Sequence, residues 1–452
     1  MRKLIAISSL AALMGMSANA TISRTRALGN METDLEGNYW FDDSRDIFLN
    51  PAMMHKYTDS VILEWGGNGQ DLTANSDSEV SLNADADPKA QGGFLKKSGN
   101  YVYGVYLGNE SNTSSQLRAL ATSQAAIVQG LAAGTGGGEL LQSADNQIDL
   151  FFGWGSGLKY GLNFLYTKDD NTAQNEEDEA MAVRFGVDAN KWDAHVNLSL
   201  KSQSKETVSL SNLTGVTTST IEQEFDGKLG LQVGGSYELN NGSRLWAFYK
   251  SFKWDQKDGF DYSNATNQTV LDTVDSSANA LSGSKNRGKQ GTVEGDFTTI
   301  QLGWGQVVES GEGKLFTSVY LEQLTIEVKG ALTAEVENLT LPVTIGYEAK
   351  ATEWLTLRGS VVHNIYGQRD NKNYSALNTV GNSLAVAGYG AEGKGSLENS
   401  TNVNAGATLT FGKLHIDGFV GTTAFSRTGS NSEEGVLSTD NLLTRVGMTY
   451  NF

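Results

Sequence analysis

Thirteen residues at the carboxy end, Asp440 to Phe452, limit the fold most. Leu442, Thr444, Val446, Met448, Tyr450 and Phe452 share one parity, and Leu443, Arg445, Gly447, Thr449 and Asn451 share the other. A period of two is a strand period, because successive side chains leave opposite faces of a sheet. One face is mostly apolar and ends in two aromatic rings. The other is small and polar, with a single arginine. The alternation recurs from Thr58 onward, as in Leu158, Tyr160, Leu162, Phe164 and Tyr166, and in Leu339, Leu341, Val343, Ile345 and Tyr347.

The pattern reads as about sixteen strands, the first Thr58–Trp65 and the last Asn441–Phe452. Each is long enough to cross a bilayer at a tilt, roughly nine to eleven residues plus overhang. Their connections alternate. Lys97–Gly99, Gly155–Gly157, Ala189–Asn190, Asn240–Gly242, Glu309–Glu312, Ala351–Thr352 and Gly412–Lys413 are tight. Gly66–Lys89, Glu110–Asn146, Lys168–Glu179, Ser202–Glu224, Gln256–Glu294, Lys329–Glu337, Gly367–Ser400 and Ser426–Asp440 read as loops. Short turns on one side and long loops on the other imply an all-β transmembrane antiparallel barrel, turns periplasmic and loops extracellular. A sandwich or propeller does not sort its loops this way.

The amino end agrees with export. Arg2 and Lys3, an apolar run from Leu4 to Met16, and Ala18-Asn19-Ala20 form a secretory signal peptide over residues 1–20, too short in its apolar part to span a membrane. The mature chain is expected to begin near Thr21. There are no cysteines, so a disulfide framework is excluded; a closed hydrogen-bonded barrel needs none. Only 3 Pro stand against 52 Gly, which suits one large sheet, since proline removes ladder hydrogen bonds. The formal charge of −18 becomes −20 once Arg2 and Lys3 leave with the leader. So acidic a chain is a poor partner for nucleic acid.

The alternating carboxy-terminal segment ending in Phe452 resembles the closing strand of bacterial outer-membrane β-barrel proteins. That resemblance implies recognition by the barrel-assembly machinery, residence among outer-membrane lipid and lipopolysaccharide, and, for porins of this size, a homotrimer. Residues 21–57 do not alternate. Asp46-Ile47-Phe48-Leu49-Asn50-Pro51-Ala52 is similar to the amino-terminal element of the long-chain fatty-acid channel family, where such a segment plugs the barrel. The chain thus divides into a leader (1–20), a plug or periplasmic segment (21–57) and a barrel (58–452).

The parity opposite to the lipid face supplies candidate pore-lining residues: Lys159, Arg184, Asp193, His195, Lys228, Gln232, Glu322, Glu348, Arg358, His415, Asp417 and Arg445. Ionisable groups at membrane depth are costly against lipid, so they are expected to face water or one another. Both signs occur, which suits a hydrated channel of mild cation preference. The apolar stretch Ser114–Leu141 is expected to fold over the mouth or against a neighbouring subunit. His195 lies two residues from Asp193, and His415 two from Asp417, hence on one strand face each; no nucleophile motif or metal-ligand spacing accompanies them. No catalytic site, metal or cofactor is expected. The first reading is an outer-membrane porin for ions and small hydrophilic solutes. The alternatives are a fatty-acid-channel-like transporter of hydrophobic compounds and a surface-structural or adhesive barrel.

Overall fold

The computed structural model describes residues 21–30, 36–66, 89–109, 147–171, 176–210, 218–263, 290–329, 333–372, 393–396, 401–422 and 445–452. The leader and the Ser114–Leu141 stretch lie outside these. The ladder contains β1 (Ser60–Gly66), β2 (Lys89–Ser98), β3 (Tyr101–Leu107), β4 (Ile148–Gly155), β5 (Lys159–Asn171), β6 (Glu176–Asp188), β7 (Trp192–Leu210), β8 (Thr218–Gly227) and β9 (Gly230–Glu238). It continues with β10 (Ser243–Ser263), β11 (Gln290–Ser310), β12 (Gly313–Lys329), β13 (Thr333–Lys350), β14 (Leu355–Lys372), β15 (Gly393–Ser396), β16 (Thr401–Phe411), β17 (Leu414–Thr422) and β18 (Arg445–Asn451).

Each pairing is antiparallel, and β1 pairs with both β2 and β18, so the sheet closes. Two strands are interrupted. β8 and β9 occupy successive halves of one place between β7 and β10. β15 and β16 likewise share one place beside β14. The eighteen segments therefore fill sixteen positions, the even number the connections implied. All seven tight turns are present at one rim. At one of them Asn190 takes a left-handed φ of 64°, a conformation that asparagine tolerates better than most residues.

Several expected loops are strand instead. β7 runs to Leu210 and β8 starts at Thr218, both inside Ser202–Glu224; β10 and β11 extend to Ser263 and from Gln290. β13 begins at Thr333, and β14 runs to Lys372. Beyond the bilayer neither face meets lipid, so the ladder continues with polar residues on both parities and the hydropathy signal fades.

Outward residues form an apolar wall: Leu162, Phe185, Val233, Leu302, Ile345, Leu357 and Val361 are all exposed. Inward residues at similar heights are buried, among them Leu95, Val102, Phe151, Trp246 and Phe316. Such a closed cylinder with an apolar exterior is a transmembrane barrel of the bacterial outer membrane. Part of its interior is occupied by the chain itself. Residues 21–30 and 36–57 lie within it, where Ile47, Phe48, Met53, Met54 and Tyr57 pack with Ile62, Leu95, Val102, Tyr106 and Phe151 of the first four strands. On the other side Leu28, Tyr39, Trp40, Phe41 and Leu49 pack with Trp246 and Phe316. Trp246 of β10 is a lumen residue: its indole donates to Gln301 (2.8 Å) and its ring covers Gly303 of β11, where a side chain would overlap it.

The alternation has an energetic test. Ile345 is outward and 55% exposed, five residues from the strand end. Ile345→Arg is expected to lower the unfolding free energy of the lipid-embedded barrel by about 2–4 kcal/mol. Glu353→Arg, in the adjacent turn, is expected to change it by less than about 0.5 kcal/mol. Denaturant titration in liposomes reads both.

Candidate functional site

The interior begins with a short helix, α1 (Ile22–Ala27), lying against β14 and β16 to β18. Arg24 on this helix holds two parts of the molecule together. Its Nε and Nη2 donate to the two carboxylate oxygens of Glu348 on β13 (2.9 and 3.3 Å), and its Nη1 donates to Asp43 (3.2 Å). Glu348 also pairs with Arg358 on β14 (3.0 Å), whose Nη1 reaches Asp417 on β17 (3.0 Å). Thr408 bridges Arg358 and Asp417, and Thr21 donates to the other oxygen of Asp417 (3.3 Å). Two guanidiniums are thus shared among three carboxylates. Burial works against the charge of Arg24, but Glu348 and Asp43 outweigh it and raise its pKa further.

A second knot lies on the other side of the lumen. Arg184 of β6 donates to Asp149 (3.1 Å), Asn163 (2.7 Å) and Glu36 (3.3 Å). Burial alone would raise the Glu36 carboxyl; Lys250 and Arg184 outweigh it and hold it below the usual range. Between the knots, Asp43 and Asp46 close a reciprocal cap on the turn Ser44–Phe48, each side chain accepting from the other end's backbone. Arg45 lies over the Phe48 ring (4.1 Å) and donates to Asn109 (2.6 Å).

Asn50-Pro51-Ala52 is seated by the wall itself. Gly153, Gly161, Gly186, His195 and Gly234 are cross-strand partners in one row over β4, β5, β6, β7 and β9. The missing side chains leave a recess. A methyl at Gly161 would overlap Pro51 and Ala52, and one at Gly186 would overlap the Asn50 amide. The Asn50 side-chain amide donates to the Val187 carbonyl (3.3 Å) and to Asp193 (3.2 Å), and its Oδ1 accepts from the Ala52 amide. Asn197 donates to the Leu49 carbonyl (3.1 Å). His55 reaches the Tyr160 carbonyl (3.2 Å), and the Tyr39 hydroxyl meets His195 Nε2 (3.3 Å).

Most of the expected lumen residues are partnered by the inserted segment or by neighbours on the wall. Arg184, Asp193, His195, Glu348 and Asp417 touch that segment directly. Arg358 reaches it through Glu348 and Asp417. Glu322 accepts from Gln301 (2.9 Å), Lys159 pairs with Asp188 (3.3 Å), and His415 meets Thr410 (3.2 Å). The His195–Asp193 and His415–Asp417 neighbours thus have separate partners. Gln232 lies beside Arg184 and Lys250, and Arg445 opens β18 opposite Gly66 and Phe419. Lys228 departs from the lumen expectation. It sits where β8 stops, and it pairs with Asp226 (2.9 Å) and Asp255 (2.8 Å), both on the outward parity. The break shifts it off the alternation from which it was read.

That break is one of the two in the wall, and it lies over the inward ring of Phe252. Lys228 and Leu229 separate the halves, and the Phe252 ring covers Gly227 and Gly230 from inside. A recess of about 30 Å³, room for one water, runs from Glu36 and Arg184 past Phe252 to Leu231, whose side chain is outward. Phe252 stacks with Phe225 and Trp254, and Trp246 and Phe248 with Tyr39, so the inner face of β10 is an aromatic column. Sequence reasoning missed Arg24, Glu36, Tyr39 and this column.

No family model matches the chain, and no curated protein matches it. Solved barrels similar to it include the CymD monoaromatic hydrocarbon channel, 10% identical over 95% of this chain and 97% of that one, with a TM-score of 0.39. A Pseudomonas aeruginosa FadL homologue is 12% identical over 94% and 98%, at 0.42. Outer-membrane-expressed OmpT of Vibrio cholerae is 12% identical over 87% and 95%, at 0.32.

The cap carboxyl gives a pH dependence. Burial pushes Asp43 up to about 7, with Arg24 and the Arg45 amide pulling the other way less strongly. An acid whose folded pKa is raised binds more protons folded than unfolded, so its contribution to stability is full below about pH 4 and falls as pH rises through 7. The inserted segment is therefore expected to hold less tightly at pH 8 than at pH 5. Asp43→Asn is expected to flatten that trend, read as background ion leak of reconstituted barrels at each pH.

Proposed function

We propose that this barrel carries small hydrophobic compounds across the outer membrane, and that it does not stand open as a general diffusion porin. The observation that carries this reading is the partly occupied lumen: residues 21–30 and 36–57 are packed into the barrel and tied to it by two buried charge knots. A water-filled pore for ions needs a continuous hydrated path. Here much of the described interior is apolar packing and satisfied ion pairs.

The chemistry of the inner wall supports the solute class. Tyr39, Trp246, Phe248, Phe252, Trp254 and Phe225 give a column of ring faces beside the break between β8 and β9. Ring faces and alkyl edges attract apolar solutes and offer little to ions of either sign. At about 30 Å³ the recess holds no such solute in this state, so passage requires the inserted segment to shift. Its seat is a backbone recess lined by glycine, and release there breaks the hydrogen bonds of Asn50 to Asp193 and of Asn197 to the Leu49 carbonyl.

Planar-bilayer recording tests the reading. The intact barrel is expected to give no large stable conductance steps. Gly161→Val, which places a branched side chain where Pro51 lies, is expected to produce them by unseating the segment. Vesicles carrying the intact barrel are expected to take up an uncharged aromatic such as toluene faster than glucose relative to empty vesicles. Porin-sized steps from the intact protein, with glucose entering as fast as toluene, would return the function to passive diffusion of hydrophilic solutes.

A further inference from the structure

We infer that the barrel contains a built receptor for its own processed amino terminus: Thr21, its side chain seated over Gly447 between Glu64 and Asp417, carries the α-ammonium freed by cleavage after Ala20, and Glu64 is its counter-ion. The observations come from three strands. Glu64 of β1 is the cross-strand partner of Gly447 of β18, and Gly447 is the partner of Asp417 of β17. The three lie in one row with a glycine in the middle. Thr21 fills the place of the absent side chain; a methyl on Gly447 would overlap the Thr21 side chain. Thr21 is fully enclosed.

The two flanking carboxylates already hold the residue. Asp417 accepts from the Thr21 hydroxyl (3.3 Å) and Glu64 Oε1 accepts from the Ile22 amide (3.2 Å). Glu64 Oε2 has no hydrogen-bond partner, although Glu64 is only 1% exposed. Among the described residues no lysine, arginine or histidine lies within ion-pair distance of Glu64. A buried carboxylate with one bare oxygen is expensive unless a donor completes it. The nitrogen of Thr21 is one residue, roughly 3–4 Å, from that of Ile22. Glu64 Oε1 holds the neighbouring Ile22 amide, so the Thr21 nitrogen lies next along the chain from that contact. Nearby, Arg24 and Arg358 are shared among Asp43, Glu348 and Asp417, so Glu64 is a further negative group in a cluster already short of cations. A new ammonium redresses that balance.

The chemistry is a hydrolysis by the export peptidase. Water adds across the Ala20–Thr21 amide, Ala20 leaves as a carboxylate, and Thr21 gains an amine that is protonated at neutral pH. Before cleavage the Thr21 nitrogen is an uncharged amide and cannot form the ion pair. Processing therefore sets the lock on α1, whatever solute the barrel passes.

The test uses the exported, folded barrel, extracted from outer membranes in detergent. Intact mass and amino-terminal sequencing are expected to place Thr21 first; cleavage elsewhere would overturn the inference. Brief acetylation at pH 7, followed by trypsin and mass spectrometry of the Thr21–Arg24 peptide, is expected to show the α-amine reacting at least tenfold more slowly in the folded barrel than in denaturant. Glu64→Gln keeps an oxygen for the Ile22 amide but removes the charge, and is expected to raise the folded rate at least fivefold. One alanine inserted before Thr21 is expected to lower the barrel's melting temperature, and to do so no further when combined with Glu64→Gln. Equal folded and denatured rates would sink the inference. So would full additivity of the two changes, which would leave Glu64 acting only on the Ile22 amide.

Discussion

Everything in this molecule follows from the closing pair, β1 against β18. In hydrocarbon an unpaired backbone N–H or C=O costs several kcal/mol, so a sheet there must have no edge. Seven consecutive residues, Ser60 to Gly66, pair with Asn451 to Arg445 and satisfy that requirement. The seam is reinforced at its rim. Phe452 donates its amide to the Asp59 carbonyl (3.0 Å), and Lys96 pairs with Asp59 (2.6 Å) while lying over the Phe452 ring (4.6 Å). Closure at sixteen positions also fixes a wide interior, larger than wall side chains alone fill. The chain meets that with its own first described residues, which fold inward and complete the core.

Much of this was legible in the sequence, for a physical reason. Lipid selects against polar side chains on one face, so the alternation is written strongly wherever a strand crosses the bilayer. The sixteen positions and seven turns come from that selection. Where it stops, at Ser202–Leu210 or Ser263, the strand continues without the signal. β10 shows a second limit. Leu245, Ala247 and Tyr249 face out while Trp246 and Phe248 face in, and both sets are apolar, so parity could not tell lumen from lipid.

The inserted segment was legible only as a break in the pattern. It has no period, and its partners come from register. Gly153 and Gly161 can be placed opposite each other from the turn between them. Gly161 and Gly186 are joined through Lys168–Glu179, which read as a loop although the strands pair out to Asn171 and Glu176, so the recess for Asn50-Pro51-Ala52 appears only in three dimensions. The same holds for charge. Glu348, Arg358 and Asp417 were visible as inward groups, but Arg24, which draws Glu348 and Asp43 together, belongs to a helix of six residues with no hydropathic signature.

The buried ions explain why the filling is segmental rather than greasy throughout. Replacing an ion pair by well-packed apolar groups is often neutral or stabilising, whereas removing one partner from a buried pair costs about 3–5 kcal/mol. A network of this kind adds little to stability when intact and penalises every wrong register heavily. Asp43, Glu348, Arg358 and Asp417 tolerate one position of α1, the one that brings Arg24 between them. The apolar clusters around Phe48 and Trp40 are less selective, because hydrophobic contact is not directional. Apolar packing holds the segment inside the barrel, and the arginines determine where. The glycine row then lets the wall backbone approach Asn50–Ala52 closely, with Asp193 holding the Asn50 amide, while the charged first helix anchors the segment's start.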